Sequence, residues 1–215
     1  MTWDWDGLCS AAAAALQAEA DRLDLEQAVL GLDAFDELAL HPLLRAGLAS
    51  TGCAVLAEQR YPDGRARRRR SEGERCDIVL LDDAEHARLL DPLEEGTLFA
   101  SLGASPDDAL WIEVKVAAQS AVIDGIARPN PRYSSVLLRD VPADARKLHK
   151  DQHVRWAAAL IVVFNADAET AAHDVESWRA RILERNVPLA TPFQRTFSLT
   201  DRIGNGVCTV LLAPV

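Results

Sequence analysis

The residues best suited to chemistry lie in the apolar segment from Ala109 to Ala117, which reads Ala-Leu-Trp-Ile-Glu-Val-Lys-Val-Ala. Apolar and polar residues alternate here as in a half-buried β-strand, so Glu113 and Lys115 should point to the same side of one rigid element. A second strand-like segment, 75–81, carries Asp77 near its start. An aspartate on one strand and a Glu-x-Lys on the next could hold a divalent cation beside a lysine, which is what phosphodiester hydrolysis requires.

The elements that must position these residues follow from apolar periodicity and from turn residues. Helices are predicted at 8–29, 33–50, 134–155 and 168–185, and strands at 53–60, 75–81, 109–117, 156–164, 193–200 and 206–213. Pro42 should kink or divide the second helix, and Asp140 should cap a helix that has Pro142 in its first turn. Segment 82–108 is predicted to be an insertion, and segment 124–133 to be irregular.

The pairing of the strands is also predicted. Strands 53–60 and 75–81 flank a turn and a basic loop, which favours an antiparallel hairpin. Strand 156–164 is apolar on both faces and should be central in a sheet. The helix at 142–155 joins it to strand 109–117, which predicts parallel pairing through a right-handed crossover.

Length and composition favour one domain in a reducing compartment. The chain has 215 residues, of which 49% are hydrophobic and 26% charged, and no linker divides it. The four cysteines form no C-x-x-C pair, which argues against a zinc site or a disulfide framework. The amino terminus lacks the basic region of a signal peptide, and the alanine run at 11–15 is too short to span a bilayer. We therefore expect a cytoplasmic protein without a membrane partner.

Charge is unevenly distributed along the chain. The net charge of −10 argues against a general nucleic-acid coat protein. Between Arg60 and Arg75, however, there are seven arginines and three acidic residues, a local balance of +4 that leaves −14 for the remainder. The densest part of this loop comprises Arg67, Arg68, Arg69 and Arg70. Their planar guanidinium groups could grip phosphates of a nucleic acid, although a solvated turn that contacts nothing fits the same composition.

The order of the elements adds a family resemblance. A helix, three strands that carry Asp77 and then Glu113-x-Lys115, a second helix and a further strand follow one another between residues 33 and 165. This order resembles the core of the PD-(D/E)xK nuclease superfamily, the restriction-endonuclease-like fold. The resemblance implies an α/β protein with a three-layer core, in which helices flank a mixed central sheet. The whole chain, 1–215, is then one restriction-endonuclease-like domain, with an N-terminal helical segment at about 8–50 and a C-terminal β-hairpin at about 193–213.

The resemblance also implies roles for individual residues. Asp77 and Glu113 become catalytic metal ligands, and Lys115 becomes the catalytic lysine that orients or activates the attacking water. In many family members a glutamate on the helix before the strands completes the metal site, and Glu37 is the best match here, with Asp33, Asp36 and Glu26 as neighbours of similar character. The implied cofactor is Mg²⁺, with Mn²⁺ as a substitute. The proline of the family motif is absent before Asp77, where Arg75-Cys76 stands instead.

Several other polar residues are better explained without a role in chemistry. His41 follows on the second helix and is expected to be structural. Asp144 and Lys147 are i, i+3 on the helix after the strand and could reach a substrate, but their spacing favours a plain surface ion pair. Glu58 is expected to face solvent, and Gln119 is a weak candidate for a polar site residue.

Taken with the resemblance, these residues predict a Mg²⁺-dependent nuclease, endonuclease or exonuclease, that acts on DNA. The alternative is a non-enzymatic protein-binding module, which would keep a degenerate nuclease scaffold and bind its partner through the acidic surface. Nucleic acid, DNA in particular, is the partner that the leading interpretation requires. A homodimer is compatible with either interpretation.

Overall fold

The structure of the chain, a computed structural model, describes residues 2–62, 74–82, 88–90 and 103–215. The arginine cluster Arg67–Arg70 lies outside the described residues, and so does most of the predicted insertion 82–108.

The predicted helices and strands occur in the predicted order, and two short strands that were not predicted follow the third strand. The longer helices are α1 (Trp5–Leu25), α2 (Glu37–Ala49), α3 (Val141–Lys150) and α4 (Ala168–Glu184). The strands are β1 (Ala54–Arg60), β2 (Arg75–Leu81), β3 (Leu110–Ala118), β4 (Ser120–Ile123), β5 (Ile126–Pro129), β6 (Trp156–Asn165), β7 (Phe193–Ser198) and β8 (Val207–Pro214). A 3₁₀ turn precedes α2, and a helical turn and a π-helical turn lead into α3.

Six of the strands form one mixed sheet in the order β1-β2-β3-β6-β8-β7. β1 pairs antiparallel with β2, and β2 pairs antiparallel with β3. β3 and β6 run parallel over nine residue pairs, from Leu110↔Trp156 to Ala118↔Phe164. The predicted hairpin and the predicted parallel pair are confirmed, and so is an α/β architecture in which helices flank a mixed sheet.

Helices cover both faces of this sheet. α1 and α2 pack on one face, over an apolar core that includes Ile112, Val114 and Leu160. α3 and α4 pack on the other face through side chains such as Val141 and Trp178. None of the described helices combines the length and the apolar character that a membrane span needs.

β3 is covered on both faces, whereas the sequence predicts a half-buried strand. Its alternation is confirmed, because Ile112 and Val114 face α1 and α2 while Trp111 faces the opposite core. Trp111 and Glu113 are nevertheless only 0% and 3% exposed. Tyr61 stacks on Trp111, and α3 contributes to the same core. The polar residues of β3 are therefore poorly solvated.

α1 differs from the predicted helix 8–29 at both ends. It begins at Trp5 because Asp4 caps it, accepting a 3.0 Å hydrogen bond from the N–H of Gly7. It stops before Gln27, whose backbone is left-handed with a φ of 53°.

The predicted helix 33–50 is divided, but not at Pro42. A 3₁₀ turn and the extended residue Phe35 come first, and α2 begins only at Glu37, where Asp36 caps it. α2 then runs through Pro42 without a break. Its buried side chains pack in the same core as those of α1, and this packing offsets the main-chain hydrogen bond that proline cannot donate.

The predicted helix 134–155 also differs from the structure. It ends at Lys150, and Asp140 makes no capping hydrogen bond because the chain is already helical before it. Pro142 has no N–H to donate, and the π-helical turn Val136–Asp140 immediately before α3 accommodates this break in the hydrogen-bond pattern.

The predicted irregular segment 124–133 contains part of a hairpin. β4 and β5 pair antiparallel and are joined by Asp124 and Gly125, whose φ angles of 54° and 76° suit a type I′ turn. Asp-Gly between apolar residues is a strong sequence signal for such a turn. The prediction of an irregular segment was therefore wrong, although the sequence contains the signal for a hairpin.

Candidate active site

The candidate site forms where β2 and β3 separate. Their main-chain pairing ends at Ile78↔Ile112, and Asp77 lies one residue beyond this last pair. Beyond that pair, the N–H of Val114 donates to Asp77 Oδ2 at 2.8 Å, and Cys76 Sγ donates to the carbonyl of Ile112 at 3.2 Å. Side chains thus replace main-chain partners at this end of the ladder, and the Asp77 carboxylate is held against β3.

α2 brings two further side chains that could ligate a metal ion, Glu37 and His41, close to Asp77. The Asp36 carboxylate accepts a 2.8 Å hydrogen bond from the N–H of Ala39 and caps the helix. Glu37 therefore lies in the first turn, and His41 lies one turn later on the same face. One donor atom from each of Glu37, His41 and Asp77 lies within 4.8 Å of the other two. In the part of the chain that the structure describes, these three residues form the group placed to share a metal ion.

Lys115 connects β3 with both neighbouring helices. Its Nζ lies 3.6 Å from Glu37 Oε1 and 3.1 Å from Asp144 Oδ2 on α3, and it donates to the carbonyl of Val114 at 2.7 Å. Burial lowers the pKa of Lys115, but the charges of Glu37 and Asp144 outweigh burial, so the pKa is raised overall. Lys115 is therefore a cation at neutral pH. Burial raises the pKa of Glu37, an effect that Lys115 opposes and Asp77 reinforces.

Glu113 lies beside this group but contacts a different lysine. Its Oε1 accepts a hydrogen bond from the Tyr61 hydroxyl and lies 2.7 Å from Lys147 Nζ. Burial raises the pKa of Glu113 from 4.5 to about 7, although Lys147 and Tyr61 both act to lower it. At Lys147 burial lowers the pKa, but the charges of Glu113 and Asp144 outweigh burial and the pKa is raised. Burial thus decides the direction of the pKa shift at Glu113, whereas neighbouring charges decide it at Lys147. The difference arises because the side chain of Lys147 is 28% exposed and that of Glu113 only 4%, so Lys147 loses less hydration.

Tyr61 lies near the site although the sequence indicated it only as part of a turn, and Lys147 lies there although the sequence favoured a surface ion pair for it. Tyr61 stacks on Trp111 with ring centroids 5.8 Å apart, and Lys147 Nζ lies 5.0 Å from the Tyr61 centroid. Asp144 and Lys147 do form the predicted ion pair, but the prediction that it lies at the surface is wrong. The two side chains are only 18% and 28% exposed, and each also contacts a charged residue of β3. The order of elements could have indicated this, because a crossover helix must cover the strand that precedes it.

The structure brings together only some of the residues predicted for the site. Asp77, Glu37 and Lys115 converge as expected, and His41, predicted to be structural, lies in the same cluster. Glu113, predicted as a metal ligand, is bound to Lys147 and, among the described residues, is not part of the group whose donor atoms lie within 4.8 Å. Its role as a ligand stays a prediction.

A cavity of about 800 Å³ opens beside the cluster, between α2, β3, β4 and α3. Its acidic lining residues are Asp33, Asp36, Glu37, Glu113, Asp140 and Asp144, and its basic lining residues are Lys115, Arg132 and Lys147. Among the described lining residues, acidic groups outnumber basic groups two to one, so a phosphate would enter this part of the cavity most favourably together with a cation.

Gln119, a weak candidate, and Glu58, expected to face solvent, both lie outside the cluster. Gln119 holds a loop, since its Nε2 donates to Asp174 at 2.9 Å and its Oε1 accepts from the N–H of Ala166 at 3.0 Å. Glu58 is exposed, as predicted, and its backbone is left-handed with a φ of 53°. It stands opposite Asp77 at a gap in the pairing of β1 and β2. Neither residue is placed to bind a group in the cavity.

Comparisons of the chain with models of known protein families, with curated proteins and with solved structures found no match.

Proposed function

We propose that this chain is a metal-dependent nuclease that hydrolyses phosphodiester bonds, with DNA as its substrate. The observation that carries the proposal is the convergence of Glu37, Asp77 and Lys115 at the edge of a cavity that Glu37 and Lys115 line. Carboxylates that can hold a cation, next to a fixed ammonium group, are what metal-assisted phosphodiester hydrolysis requires.

A restriction-endonuclease-like scaffold belongs to the same proposal. Its support is the order of elements around the site: α2, the antiparallel strands β1, β2 and β3, then α3, and finally β6 parallel to β3. In this order Asp77 lies on the second strand of the core, and Glu113 and Lys115 lie on the third.

The donor set fits a divalent cation. Mg²⁺ and ions of similar size accept carboxylate oxygens and keep several waters, so a small number of protein carboxylates suffices. Glu37 and Asp77 offer such oxygens from two different elements, and the acidic lining of the cavity adds a favourable potential. Mg²⁺ or Mn²⁺ is the cofactor that we propose.

Each residue then has a task that follows from its position. Asp77, fixed by the N–H of Val114, and Glu37, at the start of α2, would hold the cation. The cation supplies Lewis acidity, which makes water more acidic and neutralises charge on the phosphate. Lys115, which stays protonated, would place a positive charge beside the scissile phosphate and orient the attacking water. Lys147 fixes the Glu113 carboxylate at the wall of the cavity.

The test is cleavage of supercoiled plasmid, linear duplex and single-stranded DNA, with RNA for comparison, in Mg²⁺, in Mn²⁺ and in EDTA. The variant Lys115→Ala should lose at least about a hundredfold in rate, because the lysine acts on charge that develops in the transition state. The matched control is Lys150→Ala, which removes an exposed lysine near the end of α3. A melting curve for each variant separates loss of chemistry from loss of fold.

Full cleavage by Lys115→Ala would refute the proposed mechanism. An absence of metal-dependent cleavage by the folded wild-type protein on every substrate would instead favour the protein-binding alternative.

A further inference from the structure

His41 is the least expected member of the cluster at α2. It lies four residues after Glu37, and the two side chains share one face of the helix. His41 is 7% exposed, so its imidazole is withdrawn from solvent. Asp36 and the main-chain hydrogen bonds of α2 fix the helix start, and with it the direction in which His41 projects.

The Nε2 atom of His41 is buried, and among the residues that the structure describes it has no hydrogen-bond partner. Buried polar atoms in folded proteins nearly always have one, because a polar atom that loses its hydration without gaining a partner destabilises the fold. A histidine that serves only the core would be expected to bond a main-chain carbonyl or a neighbouring side chain. A buried imidazole nitrogen without a partner among the described residues, next to two carboxylates, indicates that this nitrogen coordinates a metal ion.

The spacing of the donor atoms fits coordination of one ion. A ring nitrogen of His41 and one carboxylate oxygen each of Glu37 and Asp77 all lie within 4.8 Å of one another. Metal–ligand bonds of about 2.0–2.2 Å place two ligands of the same ion no more than about 4.4 Å apart. Side-chain adjustments of a few tenths of an ångström are therefore enough to close the three groups on a common ion.

We propose that Glu37, His41 and Asp77 form a nitrogen-containing metal centre that binds a first-row transition ion, with Mn²⁺ as the representative, in preference to Mg²⁺. The assignment of this ion as the cofactor of hydrolysis rests on the proposed function, whereas the selectivity of the site does not. Mg²⁺ demands oxygen ligands and gives up its waters reluctantly, whereas imidazole suits Fe²⁺, Ni²⁺, Cu²⁺ and Zn²⁺. Mn²⁺ stands at the weak end of the transition-ion series and is the member most like Mg²⁺, so a preference for Mn²⁺ over Mg²⁺ is the most stringent sign of the nitrogen ligand. A site with one imidazole and two carboxylates disfavours Mg²⁺ because one of its three ligand atoms is nitrogen.

The ligand count also indicates a catalytic type of site. Structural sites surround the ion with protein groups, whereas catalytic sites leave positions for water and substrate. Within the described residues the centre has three protein ligands, and Glu37 also lines the cavity of about 800 Å³. A phosphate in that cavity would approach the ion from the side of Lys115.

The experiment measures binding of the metal alone to the full chain by isothermal titration calorimetry, first with Mn²⁺ and then with Mg²⁺. The main variant is His41→Asn, which replaces the nitrogen donor with an amide oxygen. The matched control is His173→Asn, which removes an exposed histidine on α4. Glu37→Gln and Asp77→Asn test the two oxygen ligands, and melting curves establish that each variant is folded.

The wild-type protein should bind Mn²⁺ more tightly than Mg²⁺, and His41→Asn should weaken Mn²⁺ binding by about tenfold or more, since even indirect loss of support to a metal ligand costs 10- to 100-fold. Mg²⁺ binding should change less, so the selectivity for Mn²⁺ should fall. His173→Asn should match the wild type. Pulsed electron paramagnetic resonance of Mn²⁺ bound to the wild-type protein should show coupling to an imidazole nitrogen, which tests the centre even if His41→Asn does not fold.

Unchanged Mn²⁺ binding in folded His41→Asn, or a wild-type Mn²⁺ signal without nitrogen coupling, would overturn this centre. Its failure can be told apart from failure of the proposed function. A protein that cleaves DNA with Mg²⁺ and Mn²⁺ alike and independently of His41 would keep the nuclease and lose the centre. A protein that binds Mn²⁺ through His41 but cleaves no nucleic acid would keep the centre and lose the nuclease.

Discussion

The charge of Glu113 should destabilise the fold at neutral pH. The residue is 3% exposed, and burial raises its pKa from 4.5 to about 7 even though Lys147 lies 2.7 Å away. Each pKa unit corresponds to about 1.4 kcal/mol, so keeping this carboxylate ionised in the folded state costs about 3 kcal/mol. Glutamine has nearly the same shape and can still accept from Tyr61, so Glu113→Gln should remove this cost.

The sign of the pH dependence follows from where the proton binds. Between pH 4.5 and about 7 the folded protein holds the Glu113 proton while the unfolded chain has released it. The free energy of unfolding of the wild type should therefore fall through this window relative to Glu113→Gln. The two proteins should be about equally stable at pH 4, and the variant should be more stable by up to about 3 kcal/mol at pH 8.

The assay is urea denaturation at several pH values between 4 and 8, with EDTA present so that no cation compensates the charge. Glu176→Gln is the matched control, because Glu176 pairs with Arg179 at the surface and its side chain is 74% exposed. That variant should differ from the wild type by less than about 1 kcal/mol at any pH. If Glu113→Gln were less stable than the wild type at pH 8, attraction to Lys147 would outweigh burial and the reasoning would be refuted.

Three further predictions concern other parts of the chain. Replacement of Arg67–Arg70 by alanine should weaken DNA binding and reduce the slope of log K against log salt by about 0.9 per lost phosphate contact, measured by fluorescence anisotropy; an unchanged slope would make this segment a solvated turn. Gly125→Ala should lower the free energy of unfolding by roughly 1 kcal/mol, because φ is 76° there although no atom lies within 4 Å of the added Cβ. Ile112→Ala, at a position with 0% exposure, should cost about 2–5 kcal/mol in urea denaturation, and a smaller loss would mean that the core beneath the site repacks.

The arrangement of the sheet around β3 and β6 could be predicted because it depends on local patterns. Apolar residues on both faces mark β6 as central, and the intervening helix favours parallel pairing. The β4–β5 hairpin carries an equally local signal in Asp124-Gly125, whereas the nearby prolines, Pro129 and Pro131, favour an irregular segment. The helix ends were harder, because the left-handed turn at Gln27 occurs without the glycine that usually marks it.

The candidate site could be predicted only as a set of residue types. Alternation places Glu113 and Lys115 on one side of β3, but it does not say which neighbours each side chain meets. Lys115 contacts Glu37 and Asp144, whereas Glu113 contacts Lys147. Those contacts depend on how α2 and α3 pack across β3, a tertiary property that no local pattern encodes.

The position of His41 in the site could not be predicted from the sequence either. Its spacing from Glu37 is visible in the sequence, but a lone histidine beside a proline is usually structural, and the sequence offers no reason to depart from that interpretation. Its burial, its short distance to Asp77 and the lack of a partner for its Nε2 within the described part of the chain become apparent only in the folded structure.

The most direct test of the central claim is the initial rate of DNA cleavage as a function of Mn²⁺ concentration, for the wild type and for Asp77→Asn. The wild-type rate should be zero in EDTA, should rise with Mn²⁺ and should saturate at the concentration where calorimetry shows the site to be filled. Asp77→Asn should fold but show no metal-dependent rate, because it loses the carboxylate that the N–H of Val114 fixes in the cluster. Cleavage by the wild type that persists in EDTA, or an Asp77→Asn curve that matches the wild type, would contradict the account.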